Sequence, residues 1–198
     1  MRFDRKVYFD HVREELFGAA MSQENVDGQN VLLGLWESEA TGTPMEDIRW
    51  LAYILASVYH ETAHKMWPLE EFGQGSGYEY GKEDPETGQK YFGRGLIQIT
   101  WRENYSKMSK LLSLVDDRDL EWHANVALDS LISARITFRG MAEGIFTGKK
   151  LGDYFNDAED DPIGARAIVN DADRATEIAG YHAEFLIALE RSQKPDWA

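Results

Sequence analysis

The segment from Thr43 to Pro68 constrains the fold more than any other part of the chain. It opens with Thr-Pro-Met-Glu, which combines a helix-capping hydroxyl, a proline suited to the first helical position and a glutamate placed for a capping box. Because Pro68 should stop the helix, we expect it to run to about Met66. Apolar residues recur at helical spacing and predict one buried face, formed by Ile48, Leu51, Leu55 and Val58.

The other periodic segments also predict helices, so the expected fold class is mainly α. These segments are Phe3–Phe17, Ser22–Trp36, Trp101–Leu114, Asn125–Gly144, Pro162–Val169 and Ala172–Arg191. Between them, Phe72–Gln89 contains five glycines and one proline without an apolar period, which predicts a long loop or a short hairpin. No internal repeat or linker is recognised, and we expect a single domain over residues 1–198.

Composition excludes several classes of protein. A hydrophobic fraction of 43% predicts a globular chain, and a net charge of −14 makes nucleic acid an unfavourable partner. Cysteine is absent, which excludes disulfides, thiol nucleophiles and cysteine-based zinc sites. The sequence has no apolar run long enough for a membrane span and no Sec signal peptide. We therefore expect no membrane partner and a cytoplasmic location on synthesis.

The stretch Tyr91–Tyr105 carries the strongest indication of function. It places two glycines around Arg94, followed by the polar side chains of Gln98, Thr100 and Asn104. The aromatic rings among them are those of Tyr91, Phe92, Trp101 and Tyr105. Sugar rings have apolar faces and a polar rim, so aromatic rings beside amides and hydroxyls suit a glycan. An acid on a rigid helix nearby would favour glycoside hydrolysis.

The segment His60-Glu61-Thr62-Ala63-His64 offers that acid and has two interpretations. As written it fits HExxH, in which histidines four residues apart bind zinc and the glutamate acts as general base. A zinc peptidase needs a third protein ligand, and the three other histidines lie in no ligand motif, which leaves only a downstream glutamate. In the second interpretation, Glu61 is the proton donor of a glycosidase, where an apolar helix meets an acidic loop.

Together these features resemble glycoside hydrolase family 19, the family of chitinases and phage endolysins with a lysozyme-like helical core. The HET segment at His60–Thr62 is one motif, and the signature aromatic-G-R-G-x-x-Q-(I/L)-(S/T)-aromatic-x-x-N-Y at Phe92–Tyr105 is the other. SQENVDG, PLEEFG, GIFTGKKLGDYF and AIVNDADRATEIAGY are similar to the compact bacterial and phage branch. The resemblance implies a lysozyme-like single domain with the loop beside the cleft.

The resemblance also implies an inverting mechanism with two carboxylates. Glu61 matches the general acid that protonates the glycosidic oxygen. The base that activates water is expected at Glu71, with Glu70 as the second candidate, and Thr100 matches a hydroxyl that helps to hold the water. Inversion requires the two carboxyl groups to stand roughly 6.5–9.5 Å apart. Weaker candidates for the base are the loop acids Glu79, Glu83 and Glu86.

Substrate ligands are implied in the same way. Gln98 and Asn104 match amides that bind the N-acetyl sugar, and Tyr105 matches a ring of the cleft wall. Arg94 is expected to organise the acid pair by ion pairing rather than to touch substrate.

Three residues outside the signature complete the candidate ligands. His60 belongs to the HET segment, and Trp67 is either a platform for a sugar ring or a hydrophobic staple of the turn. Asn170 matches the asparagine of a late I-N-G segment, although Asp171 stands where glycine is usual.

The sequence therefore predicts a monomeric glycosidase that cleaves β-1,4 bonds between N-acetylated amino sugars without a cofactor or metal. Bacterial peptidoglycan is the expected substrate, because no chitin-binding module, secretion signal or disulfide is recognised. These features fit a bacteriolytic enzyme of a phage or prophage that reaches the cell wall after release. The alternatives are chitin or chitooligosaccharides as substrate, the zinc peptidase, and a catalytically silent sugar-binding relative.

Overall fold

The computed structural model of the chain describes residues 1–170 and 173–194. Its α-helices are α1 (Arg5–Val12), α2 (Gln23–Glu39), α3 (Ile48–Glu61), α4 (Arg102–Leu111), α5 (Ser130–Glu143) and α6 (Ala175–Ser192). Short strands form two antiparallel pairs, β1 (Arg2–Phe3) with β4 (Gln193–Lys194) and β2 (Leu69–Glu70) with β3 (Arg94–Gly95). The predicted mainly α fold class is confirmed. None of the helices in this described part is long and apolar enough to cross a membrane.

The helix α3 lies at the centre of the core. Every residue from Trp50 to Tyr59 is buried, whereas Ile48 near its start is only half-buried. The helix packs mainly against α6 and also contacts α2 and α5. The prediction of a single buried face is therefore wrong, because residues around the whole circumference of α3 are buried, as in a helix enclosed by its domain.

The start of α3 differs from the sequence prediction. Pro44–Glu46 forms a separate 3-10 turn, capped by the side chain of Thr43. The α-helix begins only after Asp47, whose carboxylate accepts a hydrogen bond from the Arg49 N–H. Two consecutive caps thus replace the single start signal, because Asp47 adopts an extended conformation between the turn and the helix.

The end of α3 comes at Glu61, five residues before the predicted end at Met66. Thr62 terminates the helix: its hydroxyl donates back into the last turn and accepts a hydrogen bond from the Met66 N–H at 2.9 Å. The next residues, Ala63 and His64, have φ values of 47° and 68° and cannot continue a right-handed helix. Glu61 is therefore the last residue of the core helix, and the chain leaves it in a tight turn.

Two predicted helices are interrupted. The segment Phe3–Phe17 divides into β1, α1 and a π-helical turn (Arg13–Phe17). The helix expected from Asn125 is preceded by a 3-10 turn (Ala124–Leu128), and α5 begins only after the side chain of Asp129, which caps it.

The C-terminal segments agree with the prediction more closely. The short helix expected near Pro162 is a 3-10 turn (Gly164–Ile168). The last predicted helix corresponds to α6, which begins at Ala175. The expected start of that helix at Ala172 lies outside the described residues.

The loop over residues 72–89 is irregular, as predicted, and these described residues contain no hairpin. Arg102, the first residue of α4, anchors it. The guanidinium lies 3.2 Å from Asp84 and 2.8 Å from Glu86, both on the loop, and 2.8 Å from Glu121. One cation therefore holds an acidic loop against α4.

We expect Gly95→Ala to destabilise the fold. Gly95 has a φ of +86°, and a Cβ there would lie 2.5 Å from the Ser133 hydroxyl oxygen. That hydroxyl accepts a hydrogen bond from the Leu96 N–H at 2.7 Å, so it cannot move without a loss. The free energy of unfolding, measured with urea, should fall by about 1–3 kcal/mol.

The matched control for this prediction is Gly180→Ala. Gly180 lies within α6, and nothing stands within 4 Å of a Cβ built on it. Because alanine favours the helix over glycine, this variant should gain about 0.5–1 kcal/mol of stability. Changes of the same sign in both variants would contradict the steric account of Gly95.

The burial of His182 predicts that the folded protein loses stability in acid. Its ring is 4% exposed and packs against Phe155 and Tyr53. Burial lowers the pKa of His182 from 6.5 to about 4, with Asp160 acting in the opposite direction. Between these pH values the unfolded chain binds more protons than the folded one. The stability that neutral His182 contributes is therefore present above pH 6.5 and lost as the pH falls toward 4.

We expect His182→Phe to weaken this pH dependence, because phenylalanine fills the same apolar site without a titrating group. The stability difference between pH 7 and pH 4.5, measured by urea unfolding, should shrink by about 2–3 kcal/mol. His123→Gln, at an exposed position, provides the control and should leave the dependence unchanged. An equal pH dependence in His182→Phe and the unaltered protein would show that this ring does not cause it.

Candidate active site

Glu61 is held by a buried arginine. Its Oε1 accepts a hydrogen bond from the Arg166 guanidinium at 2.6 Å. The side chains of Glu61 and Arg166 are 17% and 3% exposed, so this pair is shielded from solvent on most sides. Because a buried guanidinium needs a hydrogen-bonded counter-ion, the pair fixes both side chains. The core helix α3 thus delivers the predicted general acid to a defined position.

Arg166 is a candidate site residue that sequence reasoning missed. It lies on the 3-10 turn Gly164–Ile168, and its Nε donates to the Asp173 C=O at 3.0 Å. Its local sequence, Gly-Ala-Arg-Ala-Ile, does not distinguish it from an arginine on a solvated surface. The nearest signal is its place immediately before AIVNDADRATEIAGY, one of the segments that carry the family resemblance.

Glu71, the predicted base, is held by two hydrogen-bond donors. Its Oε2 accepts from the Gly93 N–H at 2.9 Å, and its Oε1 accepts from the Tyr80 hydroxyl at 3.1 Å. Its own N–H donates to the Gly93 C=O at 2.7 Å, which extends the pairing of β2 with β3. A Cβ on Gly93 would stand 2.9 Å from the Gln98 Oε1 and 3.2 Å from the Glu71 Cβ, so a side chain there would crowd Gln98 and Glu71.

The Tyr80 hydroxyl keeps its role as donor over a wide pH range. Partial burial and the hydrogen bond with Glu71 raise the pKa of Tyr80 to about 12. At neutral pH the phenol is therefore protonated, and its hydroxyl donates the hydrogen bond that holds one oxygen of Glu71 in place.

Glu70, the second candidate, has a different environment. Its side chain is 38% exposed, and its Oε1 lies 3.7 Å from the Nε of Arg94. Its Oε2 accepts a hydrogen bond from the Gln74 side chain at 3.2 Å. Glu70 and Glu71 thus both accept hydrogen bonds. The choice of Glu71 over Glu70 as base stays a prediction.

The weaker candidates for the base have the character of surface charges. Glu79 pairs with Lys82, and Glu86 pairs with Arg102, while both carboxylates remain largely exposed. Glu83 is also exposed on the loop.

Tyr105 does not line a cleft. Its side chain is fully buried, and its hydroxyl donates to the Phe92 C=O at 2.8 Å. Its ring packs edge to face against Tyr91, with 5.3 Å between the ring centroids. The prediction of a substrate-contacting ring at Tyr105 is therefore wrong: the position faces the core, as the periodicity of α4 requires.

Arg94 is buried as well and supports the backbone around β3. Its guanidinium carbon lies 3.6 Å from the centroid of the Phe92 ring, and NH1 donates to the Lys90 C=O at 2.8 Å. Its ion-pair contact among the described residues is with Glu70 at 3.7 Å. The expectation that Arg94 organises both acids is corrected, because Glu61 takes Arg166 as its cation instead.

The polar residues of the signature are half-buried. Gln98 has a φ of 55°, and its Nε2 donates to the C=O groups of Leu69 and Gly95 at 3.0 and 2.9 Å, which ties β2 to β3. The Asn104 Nδ2 donates to the Thr100 C=O at 3.0 Å. Within the described ranges, no hydrogen bond is formed by the amide oxygens of Gln98 and Asn104 or by the Thr100 hydroxyl. These atoms are therefore open to water or to a sugar. Their roles stay predictions.

A group of exposed aromatic rings adjoins Glu71. Phe72, Tyr78 and Trp101 are 103%, 60% and 47% exposed. Tyr80 stacks on Tyr78 with 5.1 Å between centroids and meets Trp101 edge to face at 5.3 Å. Sequence reasoning named Trp101 and missed the two tyrosines, because an aperiodic loop does not indicate which of its rings pack together. Rings of this kind suit the apolar face of a sugar.

The zinc interpretation of His60 and His64 loses its geometric basis. The helix ends at Glu61, and His64 lies beyond it with a φ of 68°, so the two histidines do not share a helical face. The His64 ring stacks on Tyr59 at 4.0 Å, and burial lowers the pKa of His64. No group of His, Asp and Glu side chains in the described part of the chain is arranged to hold a metal ion. His60 is half-buried beside Glu61, where its predicted substrate contact stays a prediction.

The remaining two candidate ligands, Trp67 and Asn170, lie outside the signature at Phe92–Tyr105. Trp67 is half-buried near Gly28 of α2, which is consistent with both of its predicted roles. Asn170 is exposed and follows the turn that carries Arg166. Asp171, the departure from the family pattern, lies outside the described residues.

We expect Arg166→Met to lower the free energy of unfolding by about 3 kcal/mol, because it leaves the Glu61 carboxylate without its cation. Glu61→Gln in that background should recover part of the loss, since a neutral amide is less costly to bury. Urea unfolding of both single variants and the double variant gives the coupling energy. Strictly additive losses would contradict a stabilising ion pair.

An exposed pair provides the control for this cycle. Arg139 and Glu143 lie 3.1 Å apart on α5, with side chains 42% and 49% exposed. Because solvent screens such pairs, Arg139→Met should change stability by less than about 1 kcal/mol.

Comparison with known proteins agrees with the motif resemblance. No family model matches the chain. Endochitinase A of Zea mays is 39% identical over 67 residues, which are 32% of this chain and 24% of that protein. Chitinase 4 of Oryza sativa subsp. japonica is 36% identical over 88 residues, which are 43% of this chain and 30% of that protein. The chain thus spans less than a third of the length of these curated relatives.

Solved structures are similar over nearly the whole chain. Chitinase C from Streptomyces griseus HUT6037 has a TM-score of 0.62 at 14% identity, with 99% of this chain and 79% of that chain covered. A family GH19, class IV chitinase from Zea mays has a TM-score of 0.56 at 18% identity, with 95% and 93% covered. Such identities establish the fold alone. The chain has the lysozyme-like, mainly α fold of the family 19 chitinases, and its resemblance to glycoside hydrolase family 19 is confirmed at that level.

Proposed function

We propose that the protein is a glycoside hydrolase of family 19 type that cleaves β-1,4 bonds between N-acetylated amino sugars. The observation that carries the proposal is the hydrogen-bonded pair of Glu61 with the buried Arg166 at 2.6 Å. Glu61 is 17% exposed and is held at the end of the core helix by a buried cation, so it is not a solvated surface charge. The chitinase fold and the partial similarity to plant chitinases support the same reaction class.

The reaction is a single displacement. Arg166 binds the Oε1 of Glu61, so Oε2 is the oxygen available to pass a proton to the glycosidic oxygen as its bond to the anomeric carbon breaks. Glu71 takes a proton from the water whose oxygen attacks that carbon from the opposite face. Tyr80 and Gly93 hold the Glu71 carboxylate by one donor on each oxygen. Because one displacement occurs, the product has inverted anomeric configuration.

Two polymers carry the required sugars, and both remain candidates. The chitinases among the similar structures support chitin oligomers. The resemblance of several segments to the phage branch supports peptidoglycan, whose N-acetyl groups offer the same contacts to Gln98 and Asn104. A net charge of −14 gives no long-range attraction to an anionic cell wall, so binding there depends on the cleft itself.

The direct test is to incubate the protein with chitin oligomers and with isolated peptidoglycan, each with and without EDTA. Mass spectrometry identifies the bond that is cut, and NMR of the first product gives its anomeric configuration. We expect new reducing ends that persist in EDTA and an inverted first product. Release of peptides that EDTA abolishes would instead establish the zinc peptidase, and binding without any product would establish the silent sugar-binding relative.

Substitution of each acid tests its role. Glu61→Gln should lower kcat by about 100-fold or more, because it removes the proton donor. Glu71→Gln should do the same, whereas Glu70→Gln should retain most of the activity; the reverse order would transfer the role of base to Glu70. Circular dichroism should accompany each assay, since Glu61→Gln also leaves the buried Arg166 without a counter-ion. Glu190→Gln, exposed on α6, is the control for loss of a surface acid.

A further inference from the structure

We propose that Asn25 is a positioning residue for the two acids: from α2 it holds the turn that joins Glu61 to β2. The inference rests on the proposed function, in which Glu61 and Glu71 act together. Residues 62–68 are the only covalent link between the helix that carries the acid and the strand that precedes the base.

The turn has a backbone that its own sequence does not favour. Ala63, His64 and Met66 have φ values of 47°, 68° and 56°, in the left-handed region that residues with a Cβ seldom adopt. Three such residues within four positions would not hold this shape in isolation. Contacts from elsewhere in the protein must therefore impose it.

Asn25 supplies such contacts through its side-chain amide, and all of its polar atoms are hydrogen-bonded. Its Nδ2 donates to the C=O groups of His64 and Lys65 at 2.9 and 2.8 Å. Its Oδ1 accepts from the Ser22 N–H and hydroxyl at 2.7 and 2.8 Å. The residue is 6% exposed. A neutral carboxamide is required here, because one end must donate twice to the turn while the other accepts twice at the start of α2.

The backbone of the turn lies directly on α2 one helical turn later. A Cβ on Gly28 would stand 1.8 Å from the Met66 carbonyl oxygen, so only glycine allows this approach. Asn25 and Gly28 are three residues apart and share one face of the helix. Behind them, Gln29 donates to the Asn25 C=O at 3.0 Å and accepts from the Tyr8 hydroxyl at 2.8 Å, which fixes this face in the core.

The turn connects the two acids. Glu61 lies at its start, and β2, which leads to Glu71, follows its end, so a shift of the turn would change their relative placement. An error of about 1 Å in the placement of reacting groups can reduce a rate on the order of 100-fold. Asn25 therefore acts on turnover through geometry, without a place in the reaction itself.

Asn25→Asp tests the inference. It keeps the shape of the side chain and an acceptor for Ser22, but it turns a carboxylate oxygen toward two carbonyl oxygens. On the glycan that the unaltered protein cleaves, we expect the kcat of this variant to fall about 10- to 100-fold. The assay is made at a temperature where circular dichroism shows that the variant is folded. Binding of a chitooligosaccharide or muropeptide oligomer, measured by calorimetry in a Glu61→Gln background, should change less than threefold.

A pH profile separates this role from general destabilisation. Protonated aspartic acid regains one donor, so the kcat of Asn25→Asp relative to the unaltered protein should recover as the pH falls toward 4. Asn25→Ala, which removes the donors without adding charge, should show the loss without the recovery. It also replaces Asn25→Asp if that variant does not fold.

Glu37→Gln is the matched control on the same helix. Its carboxylate pairs with Arg5 at 2.7 Å, far along α2 from the turn. It should lower the melting temperature and leave the kcat of the folded protein unchanged. A comparable fall of kcat in this control would mean that any destabilisation of α2 suffices, and it would overturn the inference.

The outcomes distinguish the inference from the function on which it rests. Turnover by the unaltered protein that persists in folded Asn25→Asp overturns the inference and leaves the proposed function intact. A loss of binding as large as the loss of kcat also overturns it. No turnover by the unaltered protein on either polymer overturns the proposed function and this inference together.

Discussion

The burial of α3 on all sides is the constraint on which the rest of the structure depends. A helix whose residues from Trp50 to Tyr59 are all buried cannot rotate or slide without opening the core. The backbone of Glu61, the last residue of α3, is therefore held in a fixed position. Arg166 then selects one orientation of the carboxylate, so the candidate acid is placed by packing and oriented by a single ion pair.

The candidate base is placed by a different kind of structure. Glu71 follows a strand of two residues and is oriented by one backbone N–H and one tyrosine from an irregular loop. The loop itself is held by the ion pairs of Arg102 with Asp84 and Glu86. The two acids therefore differ in support: one rests on the apolar core, the other on local hydrogen bonds and a charge network that salt can weaken.

Sequence reasoning succeeded where local chemistry decides the outcome. Helical periodicity predicted the mainly α class, and the two motifs predicted the fold of the family 19 chitinases. The motifs also named Glu61, whose catalytic role stays a prediction. It failed where tertiary contacts decide. Pro68 suggested the wrong end for α3, because Thr62 terminates the helix first. Tyr105 was predicted to line the cleft, but the packing of α4 places it in the core. No local pattern indicated Arg166, because its partner Glu61 lies 105 residues away.

That separation has a consequence for the newly synthesised chain. Glu61 emerges from the ribosome long before Arg166, and the carboxylate has no counter-ion until the last third of the polypeptide docks onto α3. Non-local pairs of this kind form late, because loop closure must precede them. A chain that ends before Arg166 would therefore lack the cation that orients Glu61, so the proposed active site depends on two residues that lie far apart in the sequence.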